Sequence, residues 1–448
     1  MKLIKSKNCD VNYLAQVVNI TTFQRHPDPE VKKLKIAQVN GYKVVVGIDS
    51  KPGWYVYFPT LSQINKDFLS FNNLFKNKEL NSNTEKSGSF EDNCKVSAIK
   101  LRGQVSEGFL IEFELFNNWL LNYVHKGIDD PSFIEFDSVK DGNDEFQIVK
   151  KYVKRESNIH NSKEEKQEGI DKVILSQFRH HYDSVVLKKC PNVIGPNDLL
   201  SITQKINGVS GVSAFVMCNK EKTWKDKIID FINDKILKLK PIDYVDYDYL
   251  FSSKSKVLNR YSQVEPEKSV WYYAHEFIKP YLIPGMTIYY EVVGFMPSGK
   301  YIQKGYDYGC IPPTKNYKPE LNFKVRPYRI TLTNVSGEVH EFSAREVQQW
   351  CKANFLTPVY QHYYGYAKDL YPLIDPNDEC FGQKFMENLA NEEKFFMEQK
   401  DPTCRNNVYA EGVVIRKENM KSEAFKLKCF AFTKSEIVND EENIEDNA

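Results

Sequence analysis

Three apolar, β-branched runs in the second half of this chain carry charge where a strand is ordinarily neutral, and this constrains its fold more than any other feature. Glu291 sits inside Ile288-Tyr289-Tyr290-Glu291-Val292-Val293-Gly294, and Glu411 heads Glu411-Gly412-Val413-Val414-Ile415-Arg416. Lys426 and Lys428 alternate with apolar residues in Phe425-Lys426-Leu427-Lys428-Cys429-Phe430. Side chains two apart on a strand share a face, so the two lysines point the same way. Burying a charge is costly unless it is paired, so anions must lie opposite the lysines and a cation opposite Glu291.

A fourth segment, Ile202-Thr203-Gln204-Lys205-Ile206-Asn207-Gly208-Val209-Ser210-Gly211, reads as a strand ending in a turn, with the Lys205 amine at the strand mouth. In that setting Gly208 lets backbone approach a nucleotide, and Asn207 can hydrogen-bond a ribose hydroxyl. Together the four segments supply what transfer of a nucleotidyl group through a covalent lysine requires: a nucleophile, two carboxylates and a lysine pair. The amine attacks phosphorus only as the free base, yet an unperturbed lysine keeps its proton to a pKa of about 10.4. Neighbouring positive charge or desolvation must lower that value. Two carboxylates, completed by water and phosphate, suit Mg²⁺, and triphosphate oxygens are the anions that Lys426 and Lys428 need. Taken singly, each segment has a plainer explanation, such as a surface lysine in a turn or a strand glutamate paired at the surface.

The chain has 448 residues, too many for one ordinary core, so two or more domains are expected. Its net charge of +1 places any nucleic-acid site on a local basic face. Met1 to Asp10 contains no apolar signal region, and no segment approaches a membrane-spanning apolar run. An intracellular, non-secreted protein without membrane contact is therefore expected, cytoplasmic or nuclear. Nine scattered cysteines without C-x-x-C spacing suit free thiols in a reducing compartment. Adjacent His180 and His181 lack a third ligand at usable spacing, so no zinc site is expected.

Residues 1–150 show short β-rich runs between turn residues, as in a small closed β-barrel. The segments His26-Pro27-Asp28-Pro29, Leu34 to Val39 and Lys100 to Gly108 resemble the oligonucleotide-binding (OB) fold of tRNA-binding modules. The apolar-poor tract from Asn72 to Asn93 reads as a mobile loop inserted in that barrel. Residues 151–171 read as a charged linker, 172–436 as a strand-rich second domain, and 437–448 as an acidic tail. Helical spacing of Ile228, Ile229, Ile232, Ile236 and Leu239 after Thr223, an N-cap, predicts a helix over 223–240. A second helix is predicted over 380–399.

The ordered set resembles the covalent nucleotidyltransferase superfamily of ATP-dependent ligases and mRNA capping enzymes. The resemblance makes Lys205 the motif I nucleophile and places Glu291 at motif III, Glu411 at motif IV, and Lys426 and Lys428 at motif V. It implies metal binding by Glu291 and Glu411, and phosphate contacts from Lys426 and Lys428. Nucleotide contacts are implied for Gln204, Asn207 and Gly208. Phe251-Ser252-Ser253-Lys254 stands where the family has a Ser-Arg pair, leaving Lys254, Lys256 or Arg260 for that role. Tyr328 matches the aromatic that stacks on adenine, or is a core tyrosine. Gln204 departs from the glutamate many relatives carry before the lysine.

A barrel-like region placed first, and a chain end soon after Lys428, resemble the RNA ligases of the Naegleria and Deinococcus type. The resemblance implies an α+β protein: an N-terminal OB-fold barrel, then a nucleotidyltransferase (ATP-grasp-like ligase) domain of antiparallel sheets with flanking helices. It further implies ATP with Mg²⁺ or Mn²⁺ as cofactors, RNA ends, in the first instance a nicked duplex, as substrate, and action as a monomer. Lys35, Lys43, Lys95, Lys100 and Arg102 would hold the RNA backbone, with Trp54, Tyr55 and Tyr57 as candidates for base stacking. The alternatives are an mRNA guanylyltransferase and an inactive RNA- or tRNA-binding protein.

Overall fold

The computed structural model describes residues 1–123, 125–153, 169–181, 184–237, 244–314, 318–418 and 423–436. Most of the expected linker, the acidic tail and the end of the 223–240 helix, including Leu239, fall outside them.

Two five-stranded sheets dominate the second half. In the first, the order is Val185–Val186, Glu423–Lys428, Gly412–Lys417, Leu199–Lys205, Gln361–Tyr366. In the second, it is Val245–Ser252, Val209–Asn219, Met286–Gly294, Phe323–Thr333, Val339–Glu341. All these ladders are antiparallel except the short pairing of Val185–Val186. Strand alternation then sorts the side chains of the first sheet. Leu200, Ile202, Val413, Ile415, Phe425 and Leu427 turn into a core closed by Phe381, Phe385, Met386 and Leu389 of helix Phe381–Leu389. Lys205, Val414, Arg416, Lys426 and Lys428 turn the other way, into a cavity.

Residues 1–150 form short antiparallel sheets around two cores. One sheet runs Phe109–Glu112, Gly53–Phe58, Ala15–Ile20, Ile134–Phe136, and another Gln24–Arg25, Leu34–Val39, Tyr42–Gly47. Among the described residues these ladders do not close into one hydrogen-bonded ring, so the expected closed barrel is not seen. Both faces of Gly53–Phe58 are covered, one by Phe68, Phe116 and Trp119 and the other by Val39, Tyr42 and Val44. Tyr55 and Tyr57 are consequently core residues, not stacking platforms, and each donates its hydroxyl to a backbone carbonyl. Lys95 is buried against the Tyr152 ring and offers no free RNA face.

The Asn72–Asn93 tract, expected to be a mobile loop, is anchored to the first core at Phe75, Asn81 and Phe90, with residues 82–87 exposed between them. Phe75 and Phe90 enter the core, and the Asn81 side chain bonds the backbone of Phe75 and Lys86. The helix after Thr223 carries the predicted cap, in a reciprocal capping box with Asp226, but its α-helical part is only Trp224–Ile232. Its apolar residues Ile228, Ile229 and Ile232 are exposed. The second predicted helix is likewise shorter, spanning Phe381–Leu389, and farther along Phe396 and Glu398 adopt left-handed φ of 61° and 57°. No helix among the described residues is long and apolar enough to cross a membrane, and all nine cysteines are free.

Candidate active site

Register brings the charged positions together. Lys205 pairs with Gly412, and Gly412 with Lys428, so the two lysines flank one residue across three strands. Gly412 has φ +139°, and a Cβ there would lie 2.1 Å from the Leu427 carbonyl oxygen, so only glycine lets these strands close. Just before it, Glu411 places one oxygen 2.8 Å from Lys205 Nζ and 3.2 Å from Lys428 Nζ. Lys428 also reaches Glu436 Oε2 at 3.2 Å, from the helical turn at 430–436.

Glu291 arrives from the second sheet, where its strand pairs with Val209–Asn219 and sets Glu291 opposite Ser210. Ser210 Oγ donates to Glu291 Oε2 at 3.2 Å. Gly208 permits this approach, since a Cβ there would meet the Val292 carbonyl oxygen at 2.5 Å and Glu291 Cγ at 2.7 Å. The close approach that Gly208 allows in this structure is that of the Glu291 strand.

The two carboxylates are driven apart. Burial, with the charge of Glu411 adding to it and that of Lys205 opposing it, pushes Glu291 up to about 7. Burial would also raise Glu411, but the Lys205 and Lys428 ammonium groups outweigh it and hold that carboxyl below its ordinary value. Two glutamates beside one lysine therefore differ in readiness to carry charge.

A cavity of about 390 Å³ opens over this cluster. Lys205, Glu291, Glu411, Lys426, Lys428, Gln204, Lys254 and Tyr328 line it, together with His181, Ser210, Arg329 and Arg416. Asn207, Gly208 and Arg260 do not. Arg260 is held by Asp171 at 2.6 Å, which leaves Lys254 as the basic residue of its segment facing the cavity. Gln204 is nearly buried and donates to Asp401 Oδ2 at 2.9 Å. The Tyr328 hydroxyl lies 2.9 Å from His181 Nδ1. Among the described residues, no group of three or more His, Cys, Asp or Glu is arranged to hold a metal ion.

Sequence reasoning missed Glu436, His181 and Asp401. Glu436 lies eight residues beyond Lys428, in a stretch without charge patterning, and Asp401 in a loop where an aspartate looks merely solvated. His181 had been weighed only as a metal ligand.

No family model matches the chain, and no curated protein matches its sequence. Its fold, however, is that of an RNA ligase. A Naegleria gruberi RNA ligase structure with PPi superposes at a TM-score of 0.52 with 13% identity, covering 96% of this chain and 100% of that one. A variant of the same ligase with ATP and Mn superposes at 0.53 with 13% identity, covering 94% of this chain and 99% of that one.

Proposed function

We propose that this chain is an ATP-dependent RNA ligase that joins 3′-hydroxyl and 5′-phosphate ends, with Lys205 as nucleophile. The observation that carries the reading is one Glu411 oxygen shared by Lys205 at 2.8 Å and Lys428 at 3.2 Å, beside Glu291, in a cavity between two sheets. The RNA-ligase fold over nearly the whole chain supports it.

In the first step the Lys205 ammonium parts from Glu411 and gives its proton to solvent, and the free amine attacks the α-phosphorus of ATP. A P–N bond forms, the bond to the β-phosphate oxygen breaks, and pyrophosphate leaves. Lys426 and Lys428 stabilise charge on the phosphate oxygens, aimed at the cavity before the substrate arrives. Tyr328 and Lys254 hold the nucleoside and its phosphate. An oxygen of the RNA 5′-phosphate then takes the adenylyl group, the P–N bond breaks and Lys205 regains its proton. Finally the 3′-hydroxyl attacks the activated phosphorus, a phosphodiester forms and AMP leaves.

Glu291 and Glu411 offer only carboxylate oxygens, a donor set suited to Mg²⁺ or Mn²⁺ completed by water and phosphate. Such an ion supplies charge neutralisation at the leaving pyrophosphate. Residues 1–150 we read as an open OB-type module and 172–436 as the nucleotidyltransferase domain. The module holds RNA flanking a nick, through Lys35, Lys43, Lys100 and Arg102 in place of the buried aromatics.

The test is incubation with Mg²⁺ and ATP or GTP radiolabelled at the α-phosphate, wild type beside Lys205→Ala, followed by denaturing electrophoresis. A labelled band with ATP, absent from the variant, is expected, as is sealing of a nicked RNA duplex. Label from GTP alone would point to capping, and no label from either would overturn the reading.

A further inference from the structure

Only Ile206, Asn207 and Gly208 separate the end of the Lys205 strand from the first residue of the next sheet. Backbone groups in such a turn leave the strand ladders and need other partners. Here they find them on one distant segment. The Asn207 N–H donates to the Tyr308 hydroxyl at 2.8 Å, and Gln303 Nε2 donates to the Gly208 carbonyl at 2.9 Å. We propose that Tyr308 and Gln303 are positioning residues for the nucleophile, holding the turn so that the Lys205 amine faces Glu411; the proposal rests on the ligase reading above.

The segment that carries them is built to hold still. Tyr308 is a bulky residue at φ 46°, a left-handed conformation that costs energy and persists only where surroundings enforce it. Those surroundings are specific. The Tyr308 carbonyl accepts from Lys324 Nζ at 2.6 Å, and the buried Asp307 carboxylate accepts the Gly309 N–H at 2.7 Å. Tyr306 stacks on Tyr308 and donates its hydroxyl to the Tyr409 carbonyl at 2.7 Å, two residues before Glu411. One strained segment thus grips both the turn after the nucleophile and the approach to its carboxylate partner. Small misplacements of a reacting group are expensive in rate, which gives the strain a purpose.

Tyr308→Phe deletes one oxygen and keeps the ring packing, and Gln303→Met deletes the amide. With the full chain, the single-turnover rate of lysyl-adenylate formation is measured against ATP concentration. The limiting rate is expected to fall about tenfold in each variant, with the half-saturating ATP concentration unchanged and the melting temperature lowered by no more than a few degrees. A limiting rate equal to wild type, or a loss confined to nucleotide affinity, would overturn the proposal. A second readout needs no nucleotide: trace acetylation of Lys205 by acetic anhydride, scored by mass spectrometry against the other lysines. Loosening the turn is expected to raise acetylation several-fold at Lys205 alone, and an unchanged value overturns the positioning role. Should wild type take no label from ATP, the ligase reading falls while acetylation still decides the positioning role.

Discussion

Glu411 neutralises two ammonium groups with one oxygen, and Lys428 in turn is shared with Glu436. Lys428 is thus already occupied, and under the proposed function an incoming phosphate would compete with Glu436. Glu436→Gln removes that competitor. The half-saturating ATP concentration for lysyl-adenylate formation is expected to fall two- to fivefold, in line with the ~1 kcal/mol of a half-exposed ion pair. Weaker ATP binding would instead make Glu436 a support for Lys428. That Lys205, Glu291, Glu411 and the lysine pair would converge could be read from sequence, because charge inside an apolar strand leaves few arrangements open. Tyr308, Gln303 and Glu436 could not, because a polar residue in a loop or last turn carries no signature until the chain is folded.

Helix Val270–Ile278 buries His275 against the second sheet. Its ring stacks on Phe251 at 4.7 Å, and Nδ1 lies 3.0 Å from Ser213 Oγ, itself 2.9 Å from the Tyr290 hydroxyl. Burial first, then the charges of Lys279 and Lys172, push the imidazole down to about 3. Between that value and its ordinary value near 6.5 the unfolded chain takes a proton that the folded chain refuses, so stability falls as pH falls. From pH 6.5 to 4.5 this contributes at most about 2.7 kcal/mol. Urea midpoints of wild type should therefore drop more steeply across that range than those of His275→Gln, whereas parallel curves would contradict the neutral buried ring. Strands were legible through their β-branched runs and the Trp224–Ile232 helix through its cap, but helix lengths were not. The Phe381–Leu389 helix stops short of the predicted end, and left-handed residues at Phe396 and Glu398 follow in a region without glycine.

The N-terminal region and the sheets are joined by specific polar contacts. Lys188 Nζ bonds both oxygens of Glu107 at 2.7 Å, the Gly41 N–H donates to the Lys188 carbonyl, and the Asn12 side chain bonds Ser184 and Val186. A Cβ on Gly41 would lie 2.7 Å from the Lys188 Cα, so the contact is close-packed. Tyr13, Tyr42 and Glu107 accordingly line the same cavity as Lys205. Lys188→Ala should cost about 2 kcal/mol by leaving Glu107 partly buried without its cation, and should increase hydrogen exchange in residues 1–150. Unchanged exchange would mean that the remaining contacts suffice. A β-rich first region was legible, but its sheet connectivity was not. Strand order there depends on which of two faces each strand covers, and Gly53–Phe58 covers both.

Alternation along the sheet that carries Lys205 has a consequence for how the chain folds. A slip of one residue between its strands would turn Lys426 and Lys428 into the core and expose Phe425 and Leu427. Misaligned pairings are thus penalised twice, by stranded charge and by lost apolar contact. The charged residues that face the cavity also act as proofreaders of assembly, so replacing the lysine pair with apolar residues should yield a sheet more tolerant of wrong registers.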